Sequence, residues 1–202
     1  MSKRICVFGD SITRGAFDLE KGGWVNRLKM YFWKNEGVGS VYEIGVSGDY
    51  ATDIIRRFEI ELDVMKKQFD CIIFAIGLND VSLDDGGNRE FTSDEFRKNM
   101  HCIAKRSSKR FGAGNVFFVG ITNVDCAIAG QWFDNNRIKK FDGIVQEVAV
   151  QNNCRYISVF DLLDKDDLCD DGFHPNAKGH EKIFQQVKKC LVESEVVQLE
   201  AV

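Results

Sequence analysis

Five short runs of apolar, largely β-branched residues punctuate the chain, at 4–9, 41–46, 71–77, 115–121 and 156–161. Each is nearly continuous rather than alternating with polar residues, so each reads as a strand buried on both faces. Between them the apolar residues recur every three or four positions, the spacing of a helix with one buried stripe. Segment 24–34 lines up Trp24, Leu28 and Tyr31, with Val25 and Phe32 beside them, and 53–65 places Ile54, Phe58, Leu62 and Met65 on one face. Segment 93–110 opens with Ser93-Asp94-Glu95-Phe96, a helix start, and turns Phe96, Met100, Ile103 and Ala104 inward. Segment 137–151 repeats the pattern through Ile138, Phe141, Val145 and Val148, and a last helix from about 175 to 193 carries Ile183, Val187 and Leu191. Strands alternating with helices of this length predict an α/β domain, a parallel sheet covered by helices on both faces. No linker, repeat or low-complexity stretch interrupts the alternation. Residues 1–193 are expected to form one domain, followed at 194–202 by a tail with no predicted element.

Composition narrows the class. A chain of 202 residues is long enough for one well-buried domain and too short for two. A net charge of -4 argues against a nucleic-acid partner, which would want a basic face. No apolar run reaches the length of a membrane span, and Met1-Ser2-Lys3-Arg4 leads directly into the first strand rather than into a signal peptide. A cytoplasmic protein without integral membrane association is therefore expected. The seven cysteines are odd in number and include no Cys-x-x-Cys pair; Cys6 and Cys71 fall inside strand runs. They read as buried thiols in a reducing compartment rather than as a zinc site. No phosphate-binding loop of the Walker or Gly-x-Gly-x-x-Gly kind occurs, so nucleotide binding has no local support.

Candidate chemistry collects at one edge. In an open parallel α/β sheet, ligands bind beyond the carboxyl ends of the strands. Gly9-Asp10-Ser11 follows the first strand, Val46-Ser47-Gly48-Asp49 the second and Gly77-Leu78-Asn79-Asp80 the third, while Asp171-Gly172-Phe173-His174-Pro175 lies after the fifth. Alone, Gly-Asp-Ser is ordinary turn and capping chemistry. Together these blocks supply a serine, a base and an acid, and a serine hydroxyl becomes a nucleophile only when a base takes its proton and an acid fixes that base. Ser11 would attack a carbonyl, His174 would accept its proton and return it to the leaving group, and Asp171 would orient the imidazole. Asp170 competes with Asp171, whose three-residue spacing to the histidine suits a single turn of chain. The Ser11 and Gly48 N–H groups and the Asn79 amide can face the oxyanion of a tetrahedral intermediate. Gly45 is an alternative to Gly48, although it lies within the strand pattern. Asp10 and Asp80 read as loop organisers. Ile12, Leu78, Trp132, Phe133 and Phe173 are candidates for the substrate pocket, with Trp132 and Phe133 reading equally well as loop packing. His101 reads as a surface residue, His180 as structural or solvated, and the acidic run 161–171 as a solvated loop.

The four blocks, in this order and from Gly9 to about Leu191, resemble those of the SGNH hydrolases, also called GDSL esterases and lipases. Isoleucine follows the serine where leucine is common in the family. The resemblance implies Ser11 as nucleophile, Ser11, Gly48 and Asn79 as oxyanion donors, and Asp171 with His174 as the acid–base pair. It also implies a flavodoxin-like three-layer α/β/α sandwich with strand order 2-1-3-4-5, and neither metal nor cofactor. The expected reaction is hydrolysis of a small-molecule carboxylic ester, with a short acyl chain, through an acyl-enzyme. Transfer to another alcohol, thioester hydrolysis and lysophospholipase activity are open to the same machinery. A more distant alternative is a metal-dependent phosphoesterase using Asp10, Asp80 and Asp171 as oxygen ligands.

Overall fold

The computed structural model describes residues 3–34, 39–83 and 91–194. Strand β1 (Lys3–Gly9) lies inside a sheet, paired in parallel with β2 (Gly39–Gly45) on one side and β3 (Cys71–Ala75) on the other. Strands β4 (Val116–Val119) and β5 (Arg155–Ile157) continue beyond β3, so the order is 2-1-3-4-5 with every pair parallel. Eight α-helices lie among the described residues. In chain order they are α1 (Ser11–Arg14), α2 (Gly23–Lys34), α3 (Ala51–Met65), α4 (Leu78–Val81), α5 (Ser93–Phe111), α6 (Cys126–Ala129), α7 (Asn135–Gln151) and α8 (Ala177–Glu193).

Two cores follow from the period of two along a strand, which sends successive side chains to opposite faces. Cys6 and Phe8, with Ile72, Phe74, Val116 and Phe118, pack against the apolar stripes of α3, α5 and α7. Ile5 and Val7, with Cys71, Ile73, Phe117 and Val119, pack against Trp24, Leu28 and Phe32 of α2 and Ile183, Val187 and Leu191 of α8. In-register pairing of Phe8 with Phe74, and of Phe74 with Phe118, stacks three rings across neighbouring strands at 6.0 and 5.5 Å. Burying such rings on both faces is the main drive for this sandwich.

The differences from the sequence pattern are local. β5 stops at Ile157, although Val159 and Phe160 beyond it stay buried in the following loop. α3 starts at Ala51 rather than 53, because the Asp53 carboxylate accepts from the Tyr50 N–H at the helix entrance. α8 starts at Ala177, where the Asn176 side chain accepts from the N–H groups of Lys178 and Gly179. The single turns α1, α4 and α6 were not predicted, since four residues are too few to show a 3.6-residue period. Of the tail, Ser194 caps α8 and 195–202 lie outside the described residues. No helix among the described residues is long and apolar enough to cross a membrane.

Candidate active site

The turn after β1 is built by Asp10. Its side chain accepts from the Ile12 N–H at 2.9 Å and so caps α1, leaving Ser11 half-exposed on the first turn. Gly9 permits this tight exit, because a Cβ there would stand 2.1 Å from Thr13 Oγ1 and 2.3 Å from the Ala75 carbonyl oxygen. Burial pushes the Asp10 carboxyl up to about 6, against the pull of the Ile12 and Thr13 N–H groups.

The loop before α8 folds back on itself: Cys169 N–H donates to the His174 carbonyl at 2.8 Å, and Gly172, at φ 78°, makes the turn between them. Within that turn one Asp171 oxygen accepts from the N–H groups of Phe173 (3.1 Å) and His174 (3.0 Å), and the other lies 2.6 Å from His174 Nδ1. Burial works to raise the Asp171 carboxyl, but the hydrogen bonds from the His174 N–H, the His174 ring and the Phe173 N–H outweigh it and hold the group below its ordinary value. A carboxylate at Nδ1 places the imidazole proton there and leaves Nε2 as an acceptor. His174 Nε2 lies 2.8 Å from Ser11 Oγ. Asp170, the competing acid, is exposed.

On the other side of Ser11, Gly48 sits at φ +85°, and nothing lies within 4 Å of where its Cβ would be. Gly45 is closed in, with Arg14 N at 2.5 Å and the Asp10 carbonyl oxygen at 2.9 Å from the same position. Asn79, on α4, donates one amide hydrogen to the Asp49 carbonyl at 2.9 Å and retains the second for a ligand. Asp80 is buried, and both its oxygens accept from the Ala51 N–H, at 3.0 and 3.2 Å, tying α4 to the start of α3. Burial, opposed by that hydrogen bond and assisted by the neighbouring Asp10 charge, pushes Asp80 up to about 7.

Sequence reasoning missed the groups that hold these loops. Arg57 of α3 donates to Asp49 Oδ2 at 2.7 Å, to Glu61 at 3.0 Å and to the carbonyls of Ile44 at 3.0 Å and Gly9 at 3.3 Å. Arg27 of α2 pairs with the buried Asp18 and donates to Glu181 and to the Gly23 and Ala177 carbonyls. Both are arginines on helix patterns, outside any motif, so no sequence signal singles them out. His180, expected to be structural or solvated, is fully buried on α8, and its Nδ1 accepts from the Trp24 N–H at 3.3 Å. His101 is half-buried and its Nδ1 lies 3.0 Å from the Asn152 amide.

The pocket candidates divide. Phe173 stacks beside the imidazole, ring centroids 4.3 Å apart, and Phe133 packs behind it at 5.1 Å. Phe133 is buried in the core, and Trp132 is half-buried against it with its carbonyl bound to the Leu83 N–H. Ile12 and Leu78 line a cavity of about 30 Å³ together with Asp10, Ile121 and Thr122. Phe17, which the sequence did not single out, packs edge-on to the imidazole at 4.9 Å. In the acidic run, Asp164 and Asp167 are bound to Lys182. Among the described residues, no three His, Cys, Asp or Glu side chains are grouped to hold a metal ion, because Asp10, Asp80 and Asp171 each turn to a different partner.

Comparison with known proteins gives a family and a matching fold. The family model for the GDSL-like lipase/acylhydrolase family matches residues 7–182. Among solved structures, the lipase/acylhydrolase from Enterococcus faecalis is 24% identical with a TM-score of 0.77, covering 99% of this chain and 100% of that one. LAE5, an α/β hydrolase enzyme from the metagenome of Lake Arreo, is 19% identical with a TM-score of 0.78, over 100% and 99% of the two chains. A variant of Axe2, an acetyl xylan esterase from Geobacillus stearothermophilus, is 20% identical with a TM-score of 0.75, over 99% and 96%. At these identities the structural likeness is one of fold. No curated protein matches the sequence.

Proposed function

The chain belongs to the GDSL-like lipase/acylhydrolase family and is a hydrolase acting on ester bonds, and we propose that it is a serine esterase that cleaves short-chain carboxylic esters through an acyl-enzyme on Ser11. The observation that carries this reading is the continuous hydrogen-bond chain Ser11 Oγ–His174–Asp171, with links of 2.8 and 2.6 Å. His174 Nε2 takes the Ser11 proton as Oγ bonds to the ester carbonyl carbon. The carbonyl π electrons move onto oxygen, where the N–H groups of Ser11 and Gly48 and the free Asn79 amide hydrogen meet the charge. When the tetrahedral intermediate collapses, the C–O bond to the alcohol breaks and His174 gives that oxygen the proton. Water, deprotonated by the same nitrogen, then releases the acid and restores Ser11.

A short acyl group is supported by the openness of the site: Ser11 is half-exposed and Gly48 exposed, so the reacting carbonyl is met at an open sheet edge. A fluorophosphonate probe should label Ser11, and Ser11→Ala should abolish both labelling and hydrolysis of p-nitrophenyl acetate. Full esterase activity in Ser11→Ala would end the reading. Across p-nitrophenyl esters from acetate to palmitate, kcat/KM should fall with chain length.

A further inference from the structure

Phe17 is difficult to explain by packing. Its side chain is 62% exposed, and its backbone sits at φ 64°, a left-handed conformation strained for a bulky L residue. Glycine or asparagine would occupy that turn more comfortably. The conformation is fixed from both sides: Ala16 N–H donates to the Ser11 carbonyl at 3.0 Å, and Asp18 N–H to the Gly15 carbonyl at 3.2 Å. Asp18 is itself locked, accepting from the Gly23 N–H at 2.8 Å and pairing with Arg27. The turn therefore holds an aromatic ring in water, edge-on to the His174 imidazole at 4.9 Å and 61°. Phe173 covers the imidazole at 4.3 Å.

Resting on the acyl-enzyme reading above, we propose that Phe17 is a specificity-determining residue for the leaving group, and that the preferred substrates are esters of ring-bearing alcohols, arylmethyl or glycosyl. The oxygen that departs must come within hydrogen-bond reach of His174 Nε2 to receive its proton. Whatever carbon skeleton that oxygen bears then lies beside His174, where Phe17 offers an exposed apolar ring. A planar or cyclic alcohol covers that ring face to face and removes it from water; a two-carbon alcohol leaves most of it wet. The acyl half, which faces the oxyanion donors, is the same for every such ester. Discrimination therefore enters at acylation, the step in which the C–O bond to the alcohol breaks, and is read in kcat/KM.

Benzyl acetate, an O-acetylated methyl glycoside and ethyl acetate share the acyl group and differ in the alcohol. In Phe17→Ala the kcat/KM ratio of a ring-bearing ester to ethyl acetate should drop roughly tenfold. Phe17→Gly, which removes the ring and relaxes the positive φ, should give the same drop. Whichever of benzyl acetate and the glycoside moves identifies the source of the ring. A ratio unchanged for both esters overturns the proposal, including the case in which all three substrates lose activity equally, because Phe17 would then act on His174 and not on the alcohol. Failure of the acyl-enzyme reading shows separately, as activity surviving in Ser11→Ala.

Discussion

Arg57 lies beneath the loops that carry the proposed oxyanion donors and Arg27 beneath the loop that faces His174, and each binds carboxylates and main-chain carbonyls together. Their surroundings differ. The Arg27 side chain is 3% exposed and joins Asp18 to the first turn of α8 through Ala177 and Glu181, so it fastens two helices of the smaller core. The Arg57 side chain is 16% exposed, donates to the carbonyls of Gly9 and Ile44 and to the side chains of Asp49 and Glu61, and lies over the Phe8 ring at 5.3 Å. Asp49 in turn gives its carbonyl to Asn79. Thus the proposed base, His174, is backed by the packing of α2 on α8, and the proposed oxyanion donors by a hydrogen-bond network nearer the surface. Damage on the base side should appear first as lost stability, and damage on the oxyanion side first as lost turnover. Breaking a buried pair such as Arg27–Asp18 leaves an uncompensated charge, whereas a half-buried network can re-solvate.

Asp171 is the exception that sharpens this contrast, because it sits on the base side yet touches only the imidazole and its own loop. Asp171→Asn should keep the unfolding midpoint nearly unchanged and lower kcat by roughly 10⁴-fold, since an amide presenting N–H to Nδ1 enforces the wrong tautomer. Steady-state kinetics with parallel urea melts would check this. A large loss of stability with modest loss of turnover would place Asp171 with the structural groups instead.

The stability side of the contrast has a pH signature. Burial of His180 lowers its pKa from 6.5 to about 4, against the opposing charge of Asp18. The unfolded chain then binds a proton between those values that the folded chain refuses, so the stabilisation is complete above about pH 6.5 and is lost as pH falls toward 4. The loss should reach about 3 kcal/mol, since each tenfold difference in proton affinity between the two states is worth about 1.4 kcal/mol. Asp18, held at about 2 by the Arg27 hydrogen bond and the Gly23 and Lys21 N–H groups despite its burial, adds a further loss only below about pH 4. Asp10 and Asp80, pushed up to about 6 and about 7, take up protons on folding and act in the opposite sense over the same window. The His180 effect is therefore read as a difference: in urea unfolding between pH 7 and 4 the parent protein should lose stability relative to His180→Gln as pH falls. An equal slope in that variant would move the titrating group away from the α2–α8 contact.

The same contrast explains what the chain revealed before folding. Buried strands and long amphipathic helices are legible because Phe8, Phe74 and Phe118, or Phe96, Met100 and Ile103, repeat with the period of their element. Ser11, Gly48, Asn79, Asp171 and His174 were legible as blocks at strand ends, where the topology brings them to one edge. Arg57, Asp49, Arg27 and Asp18 were not. Each is an ordinary charged residue in its own segment, and its partners are set by tertiary packing across as many as 154 positions, as between Arg27 and Glu181. Phe17 was hidden for a related reason: neither its exposure nor its positive φ can be read from the residue type. His180, early in the last helix, read as structural or solvated; the helix turns it toward Trp24, the structural alternative.

The smallest expected effect tests the oxyanion side most sharply. Arg57 is turned to protein groups: it fixes the carbonyl of Gly9, just before Asp10 and Ser11, and the Asp49 side chain, just after Gly48. Arg57→Gln should therefore lower kcat roughly tenfold with KM little changed, because small displacements of aligned donors weaken transition-state binding selectively. Asn79→Ala alone should lower kcat by roughly 10²–10³-fold. If Arg57 works by aligning the donor set, much of its effect disappears once Asn79 is gone, and the double variant should be only slightly slower than Asn79→Ala. Independent, multiplying losses would mean that Arg57 supports the fold at large. Arg57 would then join Arg27, and the distinction between the two sides of the site would be lost.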